Sequence, residues 1–313
     1  DLSEDLAFRY SLRADSSTIA FLAYRAPERV SAYDLRDPAL AEKEPDGYFQ
    51  ATAIYNQTGR SASERIAGSG RDAVPPREVT ILLDNSLSMH GEKIVRAYEA
   101  IDFFLHKLRP QDSFNLILFN ESPQSFSKEP VAGVPENVER ELAFVREAPV
   151  EGGTSLLAAL RVAIEQVSKS ASKKKNLNRS IVLITDANPT LGSVQLKPIV
   201  DEFDRLNRST TSPLVRLYGF GIGGDVRQTL LAELVKKCQG YYVQYRETED
   251  LSLSLGFFFE KVGELGVTNI GLEASNNFYN VYYDPNARSF DGSSFSLVGR
   301  YHRPGDELIK IHG

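Results

Sequence analysis

Two short segments without a polar face constrain the fold of this chain more than any other feature of its sequence. Residues 79–83 read VTILL and residues 181–184 read IVLI. Strands of this type lie in sheets that helices cover on both faces, as in parallel α/β proteins. Residues 91–108, between the two segments, carry apolar side chains at helical spacing, which predicts a helix packed on such a sheet. Together they predict an α/β fold with a doubly wound, mostly parallel sheet.

The alternation of strands and helices extends over residues 75–265. Further strands are predicted at residues 114–119, where Asn115 interrupts the apolar pattern, and at 214–220 and 241–243. Further helices are predicted at residues 138–145, 156–167, 196–206, 226–238 and 251–262. Because helices join successive strands in this pattern, right-handed crossovers are expected, and residues 75–265 are assigned to one α/β domain.

The two flanks of this domain, residues 1–74 and 266–313, return to strand signals. Before it, strands are predicted at residues 6–10 and 47–55, with a loop at 26–46 and a linker at 56–71. After it, strands are predicted at residues 280–283, 294–298 and 308–311. Because an edge strand without a partner invites aggregation, we expect the two flanks to pair with each other. The prediction is one β-sandwich built from both termini.

Composition and charge exclude several classes of protein. The net charge of −6 argues against a nucleic-acid-binding surface, which needs a concentration of basic residues. No apolar run approaches the ~18 residues of a membrane span, so no transmembrane segment is predicted. Cys238 is the only cysteine, which rules out a disulfide within the chain, and its apolar helical setting predicts a core position. The chain starts at Asp1 and its only methionine is Met89, which suggests a piece of a longer protein.

Oxygen-bearing side chains follow the predicted strands at three places. Asp84, Ser86 and Ser88 stand at alternate positions directly after the first apolar strand. Thr154 follows two glycines before a predicted helix, and Asp186 comes shortly after the second apolar strand. Because doubly wound sheets bind ligands at the carboxyl ends of their strands, we expect these five side chains to converge at one edge. A set made only of oxygens suits a hard cation, so the sequence predicts a metal site there.

This arrangement resembles the von Willebrand factor A family and its metal-ion-dependent adhesion site. The pattern D-x-S-x-S, then Thr in a glycine loop, then Asp after a strand, is matched in order, and the resemblance covers about residues 77–265. Leu87 departs from it, because many members have glycine there. The resemblance implies that Ser86, Ser88 and Thr154 coordinate Mg²⁺ directly, with Mn²⁺ or Ca²⁺ as alternative ions. It implies that Asp84 and Asp186 act through bound waters, and that a protein partner presents an acidic residue to the ion.

The flanks are similar to those of inter-alpha-trypsin inhibitor heavy chains and their bacterial relatives. The similarity rests on residues 46–49, DGYF, and residues 295–301, FSLVGRY. In that group a β-domain made from both flanks packs beside the A domain. The resemblance implies a secreted, cell-surface or periplasmic adhesion module.

Two other functions fit the same sequence. One is an intracellular A domain that serves as a subunit of an assembly, and the other is a structural module whose metal site is vestigial. An enzyme is not expected, since no nucleophile–base pair and no histidine cluster is present. Residues 219–224, GFGIGG, match the dinucleotide pattern G-x-G-x-x-G, but they follow the fifth strand rather than the first. We therefore interpret these glycines as a turn and expect no nucleotide.

Overall fold

The computed structural model describes residues 18–25, 46–54, 76–173, 177–211, 214–238, 240–246, 248, 252–262, 271–283, 294–303, 305, 307 and 309–312. The chain divides into two compact units. One unit is Val74–Glu264, and the other combines Asp1–Ala73 with Leu265–Gly313. The strand predicted at residues 6–10, the linker at 56–71 and all but the last residue of the loop at 26–46 lie outside the described residues.

Strands and helices alternate in the middle of the chain, and strands flank them on both sides. The strands are β1 (Thr18–Tyr24), β2 (Gly47–Ile54), β3 (Arg77–Asp84), β4 (Ser113–Phe119), β5 (Pro123–Ser125), β6 (Val131–Ala132), β7 (Asn178–Thr185), β8 (Arg216–Ile222), β9 (Tyr241–Tyr245), β10 (Gly271–Ala274), β11 (Phe278–Tyr282), β12 (Ser294–Tyr301) and β13 (Ile309–His312). The helices are α1 (Glu92–His106), α2 (Pro135–Glu147), α3 (Leu156–Lys173), α4 (Leu196–Thr210), α5 (Gln228–Lys237) and α6 (Ser252–Lys261).

The larger unit is a doubly wound sheet, as predicted. Its strand order is β5-β4-β3-β7-β8-β9, with β6 also paired to β4. The pairs β4–β3, β3–β7, β7–β8 and β8–β9 are parallel. Strands β5 and β6 run antiparallel to β4. Ile81 and Leu83 of β3 face a core built with α1, α2 and α6, whereas Leu82 faces a core built with α3, α4 and α5. Alternate residues of β3 therefore pack against two different helical layers, which explains why this strand has no polar face.

Asn115, which interrupts the apolar pattern of β4, is fully buried and hydrogen-bonded. Its side-chain nitrogen donates to the Ser127 carbonyl at 2.7 Å and to Gln166 Oε1 at 2.9 Å. Its side-chain oxygen accepts from the backbone N–H of Ser127 at 3.1 Å. The amide thus holds the segment after β5 against the sheet and against α3.

We expect replacement of Asn115 by leucine to lower the free energy of unfolding by about 1–3 kcal/mol, because it leaves partly buried polar atoms of Ser127 and Gln166 without this partner. Urea denaturation of both proteins measures the difference. Asn137→Ala is the matched control, since the Asn137 side chain donates one exposed hydrogen bond to the Ala132 carbonyl. A loss at Asn115 no larger than the loss at Asn137 would contradict the prediction.

The glycine-rich stretch at residues 219–224 differs from the prediction. Gly219 and Gly221 lie within β8, where they pair with Leu183 and Thr185 of β7. Gly219 lies in the strand that was predicted over residues 214–220, whereas Gly221 was wrongly assigned to the turn, which begins only beyond Ile222. Since a phosphate-binding turn must follow its strand, these two glycines are not placed to cradle a phosphate.

The smaller unit is a β-sandwich made from both flanks, as predicted. An antiparallel sheet of order β1-β2-β12-β11 faces a two-stranded sheet of β10 and β13. Phe49, Ala51, Phe295 and Leu297 form the buried core on the larger sheet. Leu272, Ile309 and Ile311 of the smaller sheet pack against that core.

The two flanking motifs, at residues 46–49 and 295–301, meet in this sandwich. Strands β2 and β12 are antiparallel neighbours, with Gly47 opposite Tyr301. A Cβ atom on Gly47 would lie 2.1 Å from the Tyr301 ring, so only glycine lets that ring cross the strand. Asp46 accepts a hydrogen bond from Tyr279 Oη at 2.7 Å and pairs with His302 Nδ1 at 2.8 Å. Contacts with the C-terminal flank therefore explain why the first motif has aspartate at position 46 and glycine at position 47.

Within the described residues, no helix is both long enough and apolar enough to cross a lipid bilayer.

Candidate metal centre

Two buried carboxylates lie at the carboxyl edge of the sheet. Asp84 is the last residue of β3, and Asp186 directly follows β7. Strands β3 and β7 are parallel neighbours, with Leu83 opposite Ile184, so both aspartates leave the sheet at the same edge. Both side chains are fully buried. The parallel topology thus brings together two acidic residues that are 102 positions apart in the sequence.

Three hydroxyl groups form a cluster beside these carboxylates. Ser86 Oγ lies 3.1 Å from Ser88 Oγ, and Thr154 Oγ1 donates to Ser86 Oγ at 2.8 Å. Ser86 has an extended backbone and is followed by a 3-10 turn over Leu87–Met89. Because Met89 is completely buried in the core below, it anchors this turn and fixes the two serines. Ser86 and Thr154 are buried and Ser88 is exposed, so the cluster opens to solvent on the Ser88 side.

Backbone hydrogen bonds join the loops that carry the hydroxyls. The Leu87 N–H donates to the Gly152 carbonyl at 3.0 Å. The Thr154 N–H donates to Thr190 Oγ1 at 2.8 Å, and the Thr190 N–H donates to the Thr154 carbonyl at 3.0 Å. The loops after β3, before α3 and after β7 are therefore linked to one another, which holds their side chains in register.

Asp84 sits in an environment that disfavours its negative charge. Burial raises the pKa of its carboxyl to about 6, and the nearby charge of Asp186 acts in the same direction. Hydrogen bonds from Ser86 and Thr185 partly offset that rise in pKa. Two of these bonds are 3.0 Å from the Ser86 N–H to Oδ1 and 2.5 Å from Thr185 Oγ1 to Oδ2. A cation at this edge would stabilise the ionised form.

Asp186 is held on both of its carboxyl oxygens. Oδ1 accepts from the Asn188 N–H at 3.1 Å, and Oδ2 accepts from Lys93 Nζ at 3.2 Å. The backbone carbonyl of Asp186 accepts from the Arg227 N–H at 3.0 Å. The side chain therefore has a fixed orientation toward the edge of the sheet.

The chemistry of this set fits a hard divalent cation. Two carboxylates and three hydroxyls are oxygen donors, which Mg²⁺, Mn²⁺ and Ca²⁺ prefer over nitrogen or sulfur. Nowhere among the described residues do three His, Cys, Asp or Glu side chains gather as a metal-binding group. A cation at this edge would therefore depend on the hydroxyls of Ser86, Ser88 and Thr154 as much as on the carboxylates.

Sequence reasoning missed several residues that shape this edge. Thr185 donates to Asp84, Asn188 donates to Asp186, and Lys93 forms ion pairs with Asp186 and Asp225. Thr185 and Asn188 lie within two positions of Asp186 in sequence, so the strand-end position was an available signal for both. Lys93 lies in the first turn of α1, and nothing in the sequence indicated which aspartates it would reach.

Comparison with known proteins identifies the family. The sequence model of the von Willebrand factor type A domain family matches residues 77–244, more than half of the chain. The chain belongs to the von Willebrand factor type A domain family. These A domains are typically protein-interaction modules, and they are generally not enzymes.

Curated relatives extend the similarity into the flanks. Inter-alpha-trypsin inhibitor heavy chain H4 of Homo sapiens is 28% identical over 238 residues, which cover 75% of this chain and 25% of that protein. Heavy chain H3 of Rattus norvegicus is 27% identical over 231 residues, which cover 72% of this chain and 26% of that protein. The chain thus spans about a quarter of the length of these relatives.

A solved structure shows the same fold. The von Willebrand factor type A protein from Catenulispora acidiphila superposes with a TM-score of 0.55 at 13% sequence identity. The match covers 95% of this chain and 68% of that one, so the shared architecture includes the sandwich unit as well as the A domain.

Proposed function

We propose that this chain is a metal-dependent protein-binding module. The observation that carries the proposal is the meeting of three hydroxyls and two buried carboxylates, from three linked loops, at the carboxyl edge of the sheet. The residues that would hold the ion are Asp84, Ser86, Ser88, Thr154 and Asp186. Mg²⁺ is the proposed ion, with Mn²⁺ or Ca²⁺ as alternatives.

The hydrogen bonds that these oxygens already make indicate which residues would contact the ion directly and which would contact it through water. The hydroxyls of Ser86, Ser88 and Thr154 bond to one another, and each can rotate toward an ion without breaking a backbone hydrogen bond. Asp84 and Asp186 already accept hydrogen bonds on both carboxyl oxygens, which favours contact through bound water. When bound, the ion supplies an electrophilic position that accepts a carboxylate oxygen from the partner protein.

The rim of the site would shape the choice of partner. Leu87 and Leu191 are exposed to 62% and 39%, and they stand on two of the loops that carry the site. An acidic residue with apolar neighbours therefore suits this surface better than an acidic residue within a charged segment. We place this binding outside the cytoplasm, at a cell surface, in a periplasm or in secreted form, on the strength of the flanking sandwich that accompanies the A domain.

Mn²⁺ titration tests the proposal, because water-proton relaxation reports both the bound ion and its exchangeable waters. We expect saturable binding, reversal by a chelator, and a fall in relaxation on addition of the peptide acetyl-Leu-Glu-Leu-amide. The matched peptide with Gln in place of Glu should leave the relaxation unchanged. Absence of Mn²⁺ binding would contradict the proposal and favour a structural module with a vestigial site. Binding without any response to the glutamate peptide would leave a metal site that takes no carboxylate, against the proposed mechanism.

A further inference from the structure

Lys93 places a positive charge directly beside the proposed metal site. Its Nζ lies 3.2 Å from Asp186 Oδ2 and 2.6 Å from Asp225 Oδ1. The Lys93 side chain is only 12% exposed, and the Asp186 side chain is fully buried. An ion pair so largely removed from water acts more strongly on its neighbours than a surface pair does.

The surrounding backbone makes room for this lysine and fixes it. Gly223 has a φ of +122°, and a Cβ atom there would lie 2.7 Å from Lys93 Cε. The Asn188 side chain donates to the backbone carbonyls of Asp186 at 3.2 Å and Asp225 at 3.0 Å, which ties the two acceptors together. Lys93 therefore occupies a defined slot between two aspartates rather than a freely moving surface position.

The positive charge of Lys93 opposes the negative charges of Asp84 and Asp186 at this edge. Asp84 and Asp186 are two buried carboxylates that attract a divalent cation. Lys93 neutralises part of that charge, and its hydrogen bond draws electron density from the oxygen of Asp186 that faces it. Both effects reduce the attraction of the site for a second cation, whereas the fixed orientation of Asp186 favours binding.

We infer that Lys93 sets the metal affinity of the site, acting as a resident counter-ion of Asp186 that weakens the binding of the divalent cation. The inference rests on the proposed function, because it assumes that the five oxygens hold an ion. Lys93 is not a ligand of the ion in this role, and it acts through its positive charge and through its hydrogen bond to Asp186. The consequence is a site whose occupancy follows the free concentration of the ion instead of being permanently filled.

Calorimetric titration with Mg²⁺ of the whole chain tests the inference. We expect Lys93→Met to bind Mg²⁺ about 10- to 100-fold more tightly than the wild type, because the substitution removes a positive charge beside the site. We also expect the thermal midpoint of Lys93→Met to fall in the presence of a chelator, because Asp186 then lacks its counter-ion. Lys93→Arg, which keeps the charge, should stay within about threefold of the wild-type affinity.

The control is Lys169→Met, which changes the net charge equally at an exposed position near the end of α3. Mg²⁺ binding by Lys93→Met that is weaker than in the wild type, or equal to it, would overturn the inference and leave the proposed function intact. If neither the wild type nor Lys93→Met binds Mg²⁺, both the inference and the proposed function are overturned. If Lys93→Met does not fold, Lys93→Gln carries the same expectation, since glutamine keeps a polar contact with Asp186.

Discussion

Replacement of Asp84 by asparagine is expected to lower the association constant for Mg²⁺ by about 10- to 100-fold. Asp84 supplies one of the two carboxylates at the edge of the sheet, and its neighbour Asp186 is already paired with Lys93. Loss of the Asp84 charge therefore removes most of the uncompensated negative potential that attracts the ion. Isothermal titration calorimetry on the purified chain measures the change.

The same substitution should leave the domain folded. Asparagine retains an oxygen that accepts from the Ser86 N–H, and it removes a charge whose burial raises the pKa of Asp84 to about 6. We expect the thermal midpoint with chelator present to equal or exceed that of the wild type. Asp102→Asn, at a half-exposed position on α1, is the matched control and should bind Mg²⁺ normally. An Asp84→Asn protein with unchanged Mg²⁺ affinity would remove the basis for the proposed site.

Replacement of Glu141 by glutamine is expected to stabilise the chain at alkaline pH by about 1–3 kcal/mol and to have little effect at pH 4. Glu141 lies on α2, is fully buried, and has no hydrogen-bond partner for either carboxyl oxygen among the described residues. Burial raises the pKa of its carboxyl from 4.5 to about 9. The folded chain therefore carries this residue as a neutral acid under ordinary conditions.

The sign of the effect follows from proton binding. Between pH 4.5 and about 9 the folded chain retains a proton that the unfolded chain releases, so the free energy of unfolding falls as pH rises through this range. Because glutamine cannot ionise, the variant lacks the part of this decrease in the free energy of unfolding that Glu141 causes. Urea denaturation at about pH 4, 6 and 8 measures both slopes. Glu139→Gln, at an exposed position of α2, controls for the change in net charge. Equal pH slopes in wild type and Glu141→Gln would show that the carboxyl ionises freely in the folded chain.

The fold of the A domain could be predicted because its strongest sequence signals are local. A buried parallel strand needs apolar residues on both faces, so β3 and β7 stand out from the sequence alone. Asp84 is the last residue of β3 and Asp186 directly follows β7, and the topology of a doubly wound sheet then brings them to one edge. The pairing of the two flanks followed from a similar argument about unpaired strands.

Other elements carried no comparable signal. Strand β1 was missed because it presents apolar residues to solvent, with Phe21 exposed to 50% and Leu22 to 69%, so its sequence does not alternate. Strand β10 has four residues, too few for a period to appear. The slot of Lys93 depends on Asp225 and Gly223, which lie more than a hundred positions away and meet it only in the folded chain.

The pairing of β2 with β12 has a mechanical consequence for the A domain. The A domain is inserted between these two strands, and Gly47 and Tyr301, the ends farthest from the insertion along the chain, lie opposite each other. Tension pulling the polypeptide outward from those two ends would peel the strands apart one pair at a time. The inserted domain would carry none of that load until the last pair, Ile54 with Ser294, had opened. Under such tension the sandwich would therefore open first, and the loops after β3, before α3 and after β7 would stay unstretched.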